Sequence, residues 1–203
     1  MELENIQFSY SKMFTEMYGD YDSEYIINID ETCIPFDVYD NHSYAFTGTS
    51  PKVKGSSNKQ SNRMTAVAAG TKSGKKLDTL FIVKGTPGGR IVSNLNSLNL
   101  KATFVAQNSA WVTSSTFKNY LQEVIFPYCK GNLFVLVLDN LSCHTREEIK
   151  SLVKCNGGSI SYLPPYSTSI CQPLDVGVFG PLKQIMSRLN MEDRCHYKAL
   201  SEK

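Results

Sequence analysis

The apolar run at residues 133–138, which ends at Asp139 and Asn140, constrains the fold more than any other stretch of the chain. Because apolar and polar residues do not alternate in it, the run predicts a strand buried on both faces inside an α/β sheet. Ligands of open α/β sheets bind outside the carboxyl ends of strands, so Asp139 is a candidate functional carboxylate. The other interpretation is structural: Asp139 and Asn140 begin a turn or cap the helix predicted at about 145–154.

Length and composition indicate one globular domain. The chain has 203 residues, of which 41% are hydrophobic and 20% charged, which is typical of a folded protein and not of a disordered one. No run of about 18 apolar residues is present, so no membrane span is predicted. The N-terminus lacks the features of a signal peptide, and the six cysteines show no Cys-x-x-Cys spacing. These features favour reduced thiols in the cytosol or nucleus.

The small net charge of +2 hides a strong separation of charge along the chain. Residues 1–50 carry ten acidic residues against Lys12 alone, whereas residues 51–101 carry ten basic residues against Asp78 alone. A basic block of this kind favours a polyanion partner, although a solvated pair of charge-rich hairpins would give the same pattern. The basic residues that we assign to nucleic-acid binding are Lys52, Lys54, Lys59, Arg63, Lys75 and Lys76.

Helical and strand patterns alternate along the rest of the chain. The predicted elements are helix 3–18, strand 25–29, hairpin strands 64–69 and 77–83, helix 114–126, strand 133–138, helix 145–154, strand 159–163 and helix 175–190. Residues 91–110 carry only a weak pattern, and residues 51–61 predict a polar loop.

Three aspartates occupy comparable places in these elements. Asp30 and Asp139 each directly follow an apolar strand, and Asp175 opens the last helix after a Pro-rich turn. Clustered carboxylates repel each other unless a cation binds between them, and oxygen-only ligands suit Mg²⁺ or Mn²⁺. Two such ions activate water and stabilise the leaving oxygen in phosphodiester cleavage.

The order of strands, helices and acids is similar to that of an RNase H-like fold. In that fold, a mixed five-stranded sheet begins with three antiparallel strands and carries helices on both faces. We therefore predict an α/β protein with a helical lead-in over residues 1–22, an RNase H-like catalytic domain over 23–190 and a C-terminal tail over 191–203.

Five motifs resemble the DDE superfamily endonuclease domain of the pogo/Tigger transposases, a branch of the mariner superfamily that includes the jerky-like proteins. They occur in the family's order over roughly residues 5–190. The motifs are Asn28-Ile-Asp30-Glu31-Thr32, the strands from Arg63 to Lys84, the Ala110-Trp111-Val-Thr-Ser114 helix start, Asp139-Asn140-x-Ser142-x-His144, and the stretch from Leu163 through Gln172-Pro-Leu-Asp175 to Gly177.

The resemblance implies a role for each matching residue. Asp30, Asp139 and Asp175 would hold two Mg²⁺ or Mn²⁺ ions and catalyse attack of water, and then of the freed 3′-hydroxyl, on DNA phosphodiesters. Asn140 and His144 are expected to order this metal site or to contact the DNA. Glu31 is expected to support the metal ligands or to be simply exposed, and Gln172 is expected to support the loop before Asp175. For Asn140 and His144, the alternatives are helix capping and a buried, hydrogen-bonded histidine.

The expected function is therefore that of a metal-dependent DNA endonuclease and strand transferase. Its expected setting is the nucleus, with DNA as partner, a homodimer as in many family members, and no membrane. Family members carry helix-turn-helix domains before the catalytic domain, whereas this chain starts almost at the catalytic domain. The alternative is a truncated or domesticated nucleic-acid-binding protein that descends from a transposase and lacks catalysis.

Overall fold

One six-stranded sheet organises the part of the chain that the computed structural model describes, which is residues 2–36, 63–98, 100 and 102–201. Its strands are β1 (Ile26–Pro35), β2 (Arg63–Thr71), β3 (Thr79–Lys84), β4 (Ala102–Gln107), β5 (Phe134–Leu138) and β6 (Gly158–Tyr162). The helices are α1 (Glu2–Tyr18), α2 (Arg90–Ser97), α3 (Ser114–Tyr120), α4 (Phe126–Cys129), α5 (Glu147–Cys155), α6 (Thr168–Cys171) and α7 (Gly180–Ser201). A π-helical turn at Leu121–Ile125 joins α3 to α4, and another at Asp175–Phe179 leads into α7.

The strands lie in the order β4-β3-β2-β1-β5-β6. The first three strands along the chain pair antiparallel, whereas β4, β5 and β6 pair parallel to β3, β1 and β5 respectively. Five strands therefore finish at the end of the sheet where β2 starts. We call this end the carboxyl end of the sheet, because most strands finish there. Ligands of α/β sheets bind at such an end.

The predicted count of five strands is wrong by one, because β4 was missed. It lies in the weakly patterned stretch 91–110, and only Phe104 and Ala106 of its six residues are buried. As an edge strand, β4 is only half-buried over most of its length, and its sequence shows neither a clean alternation nor a continuous apolar run.

Strand β1 extends beyond its predicted end at residue 29 and runs to Pro35. Nine residue pairs with β2, from Ile27–Thr71 to Pro35–Arg63, supply the backbone pairing that the local sequence does not reveal. The expectation that Asp30 and Glu31 follow the strand is therefore wrong, because both lie inside it.

The two faces of β1 have different surroundings, because successive side chains of a strand point to opposite faces. Ile27 and Ile29 belong to the main core, together with buried side chains of α3 and α5 such as Phe117 and Ile149. The opposite face carries Ile26, which packs with residues of α1 and α6. Helices thus cover both faces, and the buried central strand predicted at residues 133–138 is confirmed by β5, in which all five residues are buried.

Among the described helices, none is both long and apolar enough to cross a membrane. Helix α7 continues to Ser201 and so passes residue 190, the predicted end of the catalytic domain. The division of the chain at residues 22 and 190 stays a prediction.

Candidate functional site

Asp30 in β1 and Asp139, directly after the neighbouring strand β5, lie at the same level along the strand direction, near the carboxyl end of the sheet. In the parallel pairing of β1 with β5, Asn28 lies opposite Val137, so Asp30 is level with the residue that directly follows β5. Asp30 is 5% exposed, whereas the side chain of Asp139 is 30% exposed. The fold thus brings Asp30 level with Asp139, and Asp175 is near enough for its charge to act on Asp30.

A buried histidine joins Asp139 to Glu31. The Nδ1 atom of His144 lies 2.8 Å from Oδ1 of Asp139, and its Nε2 atom lies 3.0 Å from Oε1 of Glu31. The ring is fully buried and packs against Phe117, with 4.3 Å between ring centroids. Tyr162 donates a hydrogen bond to the backbone oxygen of His144 at 2.9 Å, which fixes the loop as well as the ring.

These contacts determine the charge of the His144 ring. Burial by itself would lower the pKa of His144, but hydrogen bonds with Asp139, Cys143 and Glu31 raise it to about 12. Burial of Asp139 has the opposite effect and would raise the pKa of its carboxyl group. The hydrogen bonds from His144 and from the Leu141 N–H nevertheless hold this pKa below its usual value. The arrangement is therefore an imidazolium between two carboxylates.

Asp30 has surroundings that are unfavourable for an isolated carboxylate. Burial, together with the nearby charges of Asp175 and Glu31, raises the pKa of Asp30 to about 7, although the Glu31 N–H and the Gln172 amide partly offset this shift. Oδ1 of Asp30 accepts the Glu31 N–H at 2.8 Å. Within the described residues, Asp30 Oδ2 and Gln172 Nε2 are both buried, and neither has a partner at full hydrogen-bond geometry. The Gln172 amide is nevertheless near enough to Asp30 to lower the pKa of its carboxyl group.

Asn28 fixes the segment that carries Gln172 and Asp175. Its Nδ2 atom donates to Oε1 of Gln172 at 2.6 Å and to the Val137 oxygen at 2.9 Å. Its Oδ1 atom accepts the N–H of Leu174 at 3.2 Å, directly before Asp175. The motif at residues 28–32 does not assign a role to Asn28, although an asparagine between two isoleucines of a buried strand signals a polar partner.

Asn140 makes a structural contact outside this network. Its Nδ2 atom donates to the backbone oxygen of Leu163 at 2.7 Å, which links the loop after β5 to the end of β6. The predicted nucleic-acid-binding residues lie in three places. Lys52, Lys54 and Lys59 lie outside the described residues. Arg63 begins β2 at the carboxyl end of the sheet, and its guanidinium carbon lies 4.6 Å from the ring centroid of Trp111.

Lys75 and Lys76 lie in the connection between β2 and β3, towards the other end of the sheet. The Lys75 Nζ atom lies 4.6 Å from the ring centroid of Tyr128. The structure therefore separates Arg63 from these two lysines along the strand direction.

Comparison with known proteins identifies the family. A sequence profile described as DDE superfamily endonuclease matches residues 58–195, which is more than half of the chain. The chain belongs to the DDE superfamily endonuclease family. The matched region of this DDE endonuclease chain includes Asp139 and Asp175 and begins after Asp30.

The chain is similar in sequence to two curated proteins and in fold to a solved structure. The chain is 26% identical over 171 residues to the mouse (Mus musculus) pogo transposable element with KRAB domain, a match that covers 80% of this chain and 26% of the relative. It is 31% identical over 94 residues to the MFS-type transporter clz9 of Cochliobolus lunatus, which covers 44% of this chain and 10% of that protein. The crystal structure of the Mos1 mariner paired end complex with Mn has a TM-score of 0.61 at 13% identity and covers 90% of this chain.

These matches confirm the RNase H-like α/β fold class and the resemblance to the pogo branch. The DDE endonuclease chain spans about a quarter of the pogo relative, a tenth of the transporter and 48% of the Mos1 chain.

The side chains near Asp30 fit a divalent cation in part. The buried Oδ2 atom of Asp30, without a hydrogen-bond partner and beside the charge of Asp175, is where a hard cation would relieve desolvation and repulsion. Among the described residues, however, the three-residue set whose possible ligand atoms all lie within 4.8 Å is Glu31, Asp139 and His144. The three aspartates do not form such a set.

Proposed function

We propose that this DDE endonuclease chain is a metal-dependent DNA endonuclease and strand transferase of the transposase type. Asp30, Asp139 and Asp175 would hold two Mg²⁺ or Mn²⁺ ions. The observation that carries the proposal is the buried Oδ2 atom of Asp30, which has no hydrogen-bond partner among the described residues, beside Asp175 and level with Asp139. An orphaned carboxylate oxygen in that position is costly unless a cation completes the site.

The chain's own residues prepare this site in two ways. The imidazolium of His144 orients Asp139 and balances the charge of Glu31. Asn28 and Gln172 fix the backbone before Asp175, so the third carboxylate belongs to a supported segment. When bound, divalent ions would supply the Lewis acidity that activates a water or a 3′-hydroxyl and stabilises the leaving oxygen.

DNA is the proposed substrate. The family membership, the similarity to a pogo transposable element and the fold shared with the Mos1 paired end complex all support it. Arg63, at the same end of the sheet as Asp139, is a proposed phosphate contact, as are Lys52, Lys54, Lys59, Lys75 and Lys76. Homodimerisation and a nuclear location stay predictions.

Nicking of a supercoiled plasmid in the presence of Mn²⁺ tests the catalytic proposal. Wild-type protein should convert the plasmid to open circles only when the metal is present, and Asp139→Ala should reduce the rate by a factor of about 1,000 or more. Asp78→Asn is the matched control, because Asp78 is an exposed acid directly before β3, away from the site. Nicking by Asp139→Ala at the wild-type rate would contradict the assignment.

A second candidate function is DNA binding without catalysis. The hydrogen bond between His144 and Asp139 favours this alternative, as does the ligand set found among the described residues, which contains Asp139 but neither Asp30 nor Asp175. It predicts DNA affinity that is independent of Mg²⁺ and unchanged in Asp139→Ala, measured by fluorescence anisotropy of a labelled duplex. Affinity that requires both the metal and Asp139 would count against it.

A further inference from the structure

Trp111 presents a large aromatic ring to solvent at the same end of the sheet as Asp139. It follows β4, whose last residues lie beside the last residues of β3 at the carboxyl end. Its side chain is 61% exposed, and the guanidinium carbon of Arg63 lies 4.6 Å from the ring centroid. An exposed tryptophan paired with an arginine combines an aromatic face with a positive charge.

The backbone that carries Trp111 is firmly held. Ala110 is buried and adopts a φ of 55°, a left-handed conformation that costs a non-glycine residue free energy unless its surroundings enforce it. The Ala110 oxygen accepts a hydrogen bond from the Thr65 hydroxyl at 2.7 Å. On the other side, Thr113 and Thr116 form a reciprocal capping box at the start of α3. The exposed ring is thus presented from a preorganised turn.

Helix α3 connects this turn to the candidate catalytic site. Phe117, four residues after the cap at Thr113, packs against the His144 ring. Four helical residues span about 6 Å along the axis, so the start of α3 lies about one turn from the residue that packs against His144. Trp111 and Arg63 are thus at the same end of the sheet as the carboxylates that His144 joins.

We propose that Trp111 and Arg63 form a stacking platform for an unpaired DNA base beside the catalytic site. The proposal rests on the proposed function as a DNA enzyme and names a feature of its substrate: a single-stranded or flipped nucleotide next to the reacting phosphate. The base stacks on the exposed indole, and the guanidinium strengthens binding of the same strand through its charge. Stacking of this kind tolerates any base sequence, because every base has a π face.

The fluorescence of Trp111 tests the platform directly, because Trp111 is the single tryptophan of the chain. The probes are a duplex with a four-nucleotide single-stranded overhang, a blunt duplex of the same length, and a duplex whose overhang is abasic. Binding of all three is followed separately by anisotropy of a dye on the far end of the duplex. The overhang duplex should quench the indole fluorescence saturably, whereas the blunt and abasic duplexes should bind with little quenching.

Variants separate stacking from charge. Trp111→Ala should weaken binding of the overhang duplex about tenfold and leave binding of the blunt duplex unchanged. Trp111→Phe, which keeps an aromatic face, should recover most of this loss. Leu133→Ala is the matched control, because Leu133 is an exposed apolar residue, 66% exposed, before β5 at the other end of the sheet. It should bind all three probes as the wild type does.

Each contrary outcome has a defined meaning. Binding of the overhang duplex without quenching, or with the same affinity in Trp111→Ala, would overturn the platform and leave the DNA endonuclease proposal standing. Equal quenching by the abasic overhang would also overturn it, because the indole would then sense phosphates and not bases. Failure of the wild-type protein to bind any of the three probes would overturn both proposals.

Discussion

His144 and Glu31 form a buried ion pair, with 3.0 Å between Nε2 of the histidine and Oε1 of the glutamate. Glu31 lies in β1, and His144 lies in the loop after β5, so the pair joins two neighbouring strands at the carboxyl end of the sheet. The other ring nitrogen binds Asp139. The same histidine therefore affects both the stability of the protein at the carboxyl end of the sheet and the orientation of a proposed metal ligand.

Replacement of His144 by alanine should lower the free energy of unfolding by about 3–5 kcal/mol. The reason is that two partly buried carboxylates lose their shared cation. Urea denaturation measures this change. Lys150→Ala is the control, because it removes an exposed ion pair with Glu147 of similar length, 2.7 Å, and exposed pairs contribute little. Equal losses in the two variants would contradict a special role for the buried pair.

Gly158, the first residue of β6, tests the core packing at the other end of the sheet from the proposed site. A Cβ atom at this position would lie 2.6 Å from Cγ1 of Val153 and would also clash with the ring of Phe134. Gly158→Ala should therefore destabilise the protein by about 1–3 kcal/mol through overpacking, measured as a lower urea midpoint.

Gly177→Ala is the matched control for Gly158→Ala. Among the described residues outside its own helical turn and its chain neighbours, no atom lies within 4 Å of the added Cβ, and in a helical turn alanine is favoured by about 0.5–1 kcal/mol. The two variants should shift the urea midpoint in opposite directions. A stabilising effect of Gly158→Ala would show that β6 moves away from Phe134 at little cost.

The sequence alone predicts a strand or helix correctly where the pattern of that element's own residues reflects its burial. The run at residues 133–138 predicted β5, because a strand that is buried on both faces has a continuous apolar sequence. Strand β4 could not be predicted in the same way, because its identity depends on pairing with β3 and not on its own pattern. The same reason explains the extension of β1, which nine residue pairs with β2 support.

The candidate site was predictable only in part. Motif resemblance pointed to the aspartates, Glu31, His144 and Gln172, but not to the contacts among them that decide their charge. That His144 lies between Glu31 and Asp139 depends on the register of β1 with β5, which no local pattern encodes. Asn28 was missed for a similar reason, because its partners are 109 to 146 residues away along the chain.

Asn28→Leu should impair both stability and activity. The change leaves Gln172 Oε1, the Val137 oxygen and the Leu174 N–H without a hydrogen-bond partner from residue 28. Buried groups left unsatisfied cost about 1–3 kcal/mol each, so the three together should lower the free energy of unfolding by about 3 kcal/mol or more. Because Asn28 fixes the backbone before Asp175, Mn²⁺-dependent nicking should also fall at a temperature where the variant is folded.

Asn156→Ala provides the comparison for Asn28→Leu. Asn156 also donates a side-chain hydrogen bond to a backbone oxygen, that of Leu152 at 2.8 Å, but it is exposed. Its loss should change stability by less than about 1 kcal/mol and leave nicking unchanged. Normal nicking by folded Asn28→Leu would show that the position of Asp175 does not depend on Asn28.

Asp30→Asn should stabilise the metal-free protein while abolishing metal binding. The substitution removes a buried charge that the nearby charges of Asp175 and Glu31 disfavour, and an amide keeps an oxygen that accepts the Glu31 N–H. In buffer containing EDTA, the free energy of unfolding should rise by about 1–3 kcal/mol. Calorimetric titration with Mn²⁺ should give saturable heat with the wild type and none with Asp30→Asn. Catalytic sites commonly store such a cost in stability.

Asp22→Asn is the control for Asp30→Asn, because Asp22 is another carboxylate that accepts a backbone N–H, that of Glu24 at 2.9 Å, but in an exposed turn. It should change neither stability nor Mn²⁺ binding appreciably. If Asp30→Asn were instead destabilised in EDTA and bound Mn²⁺ as the wild type does, Asp30 would be a structural hydrogen-bond acceptor. The unpartnered Oδ2 atom would then no longer support a metal site, and the endonuclease proposal would lose the observation that carries it.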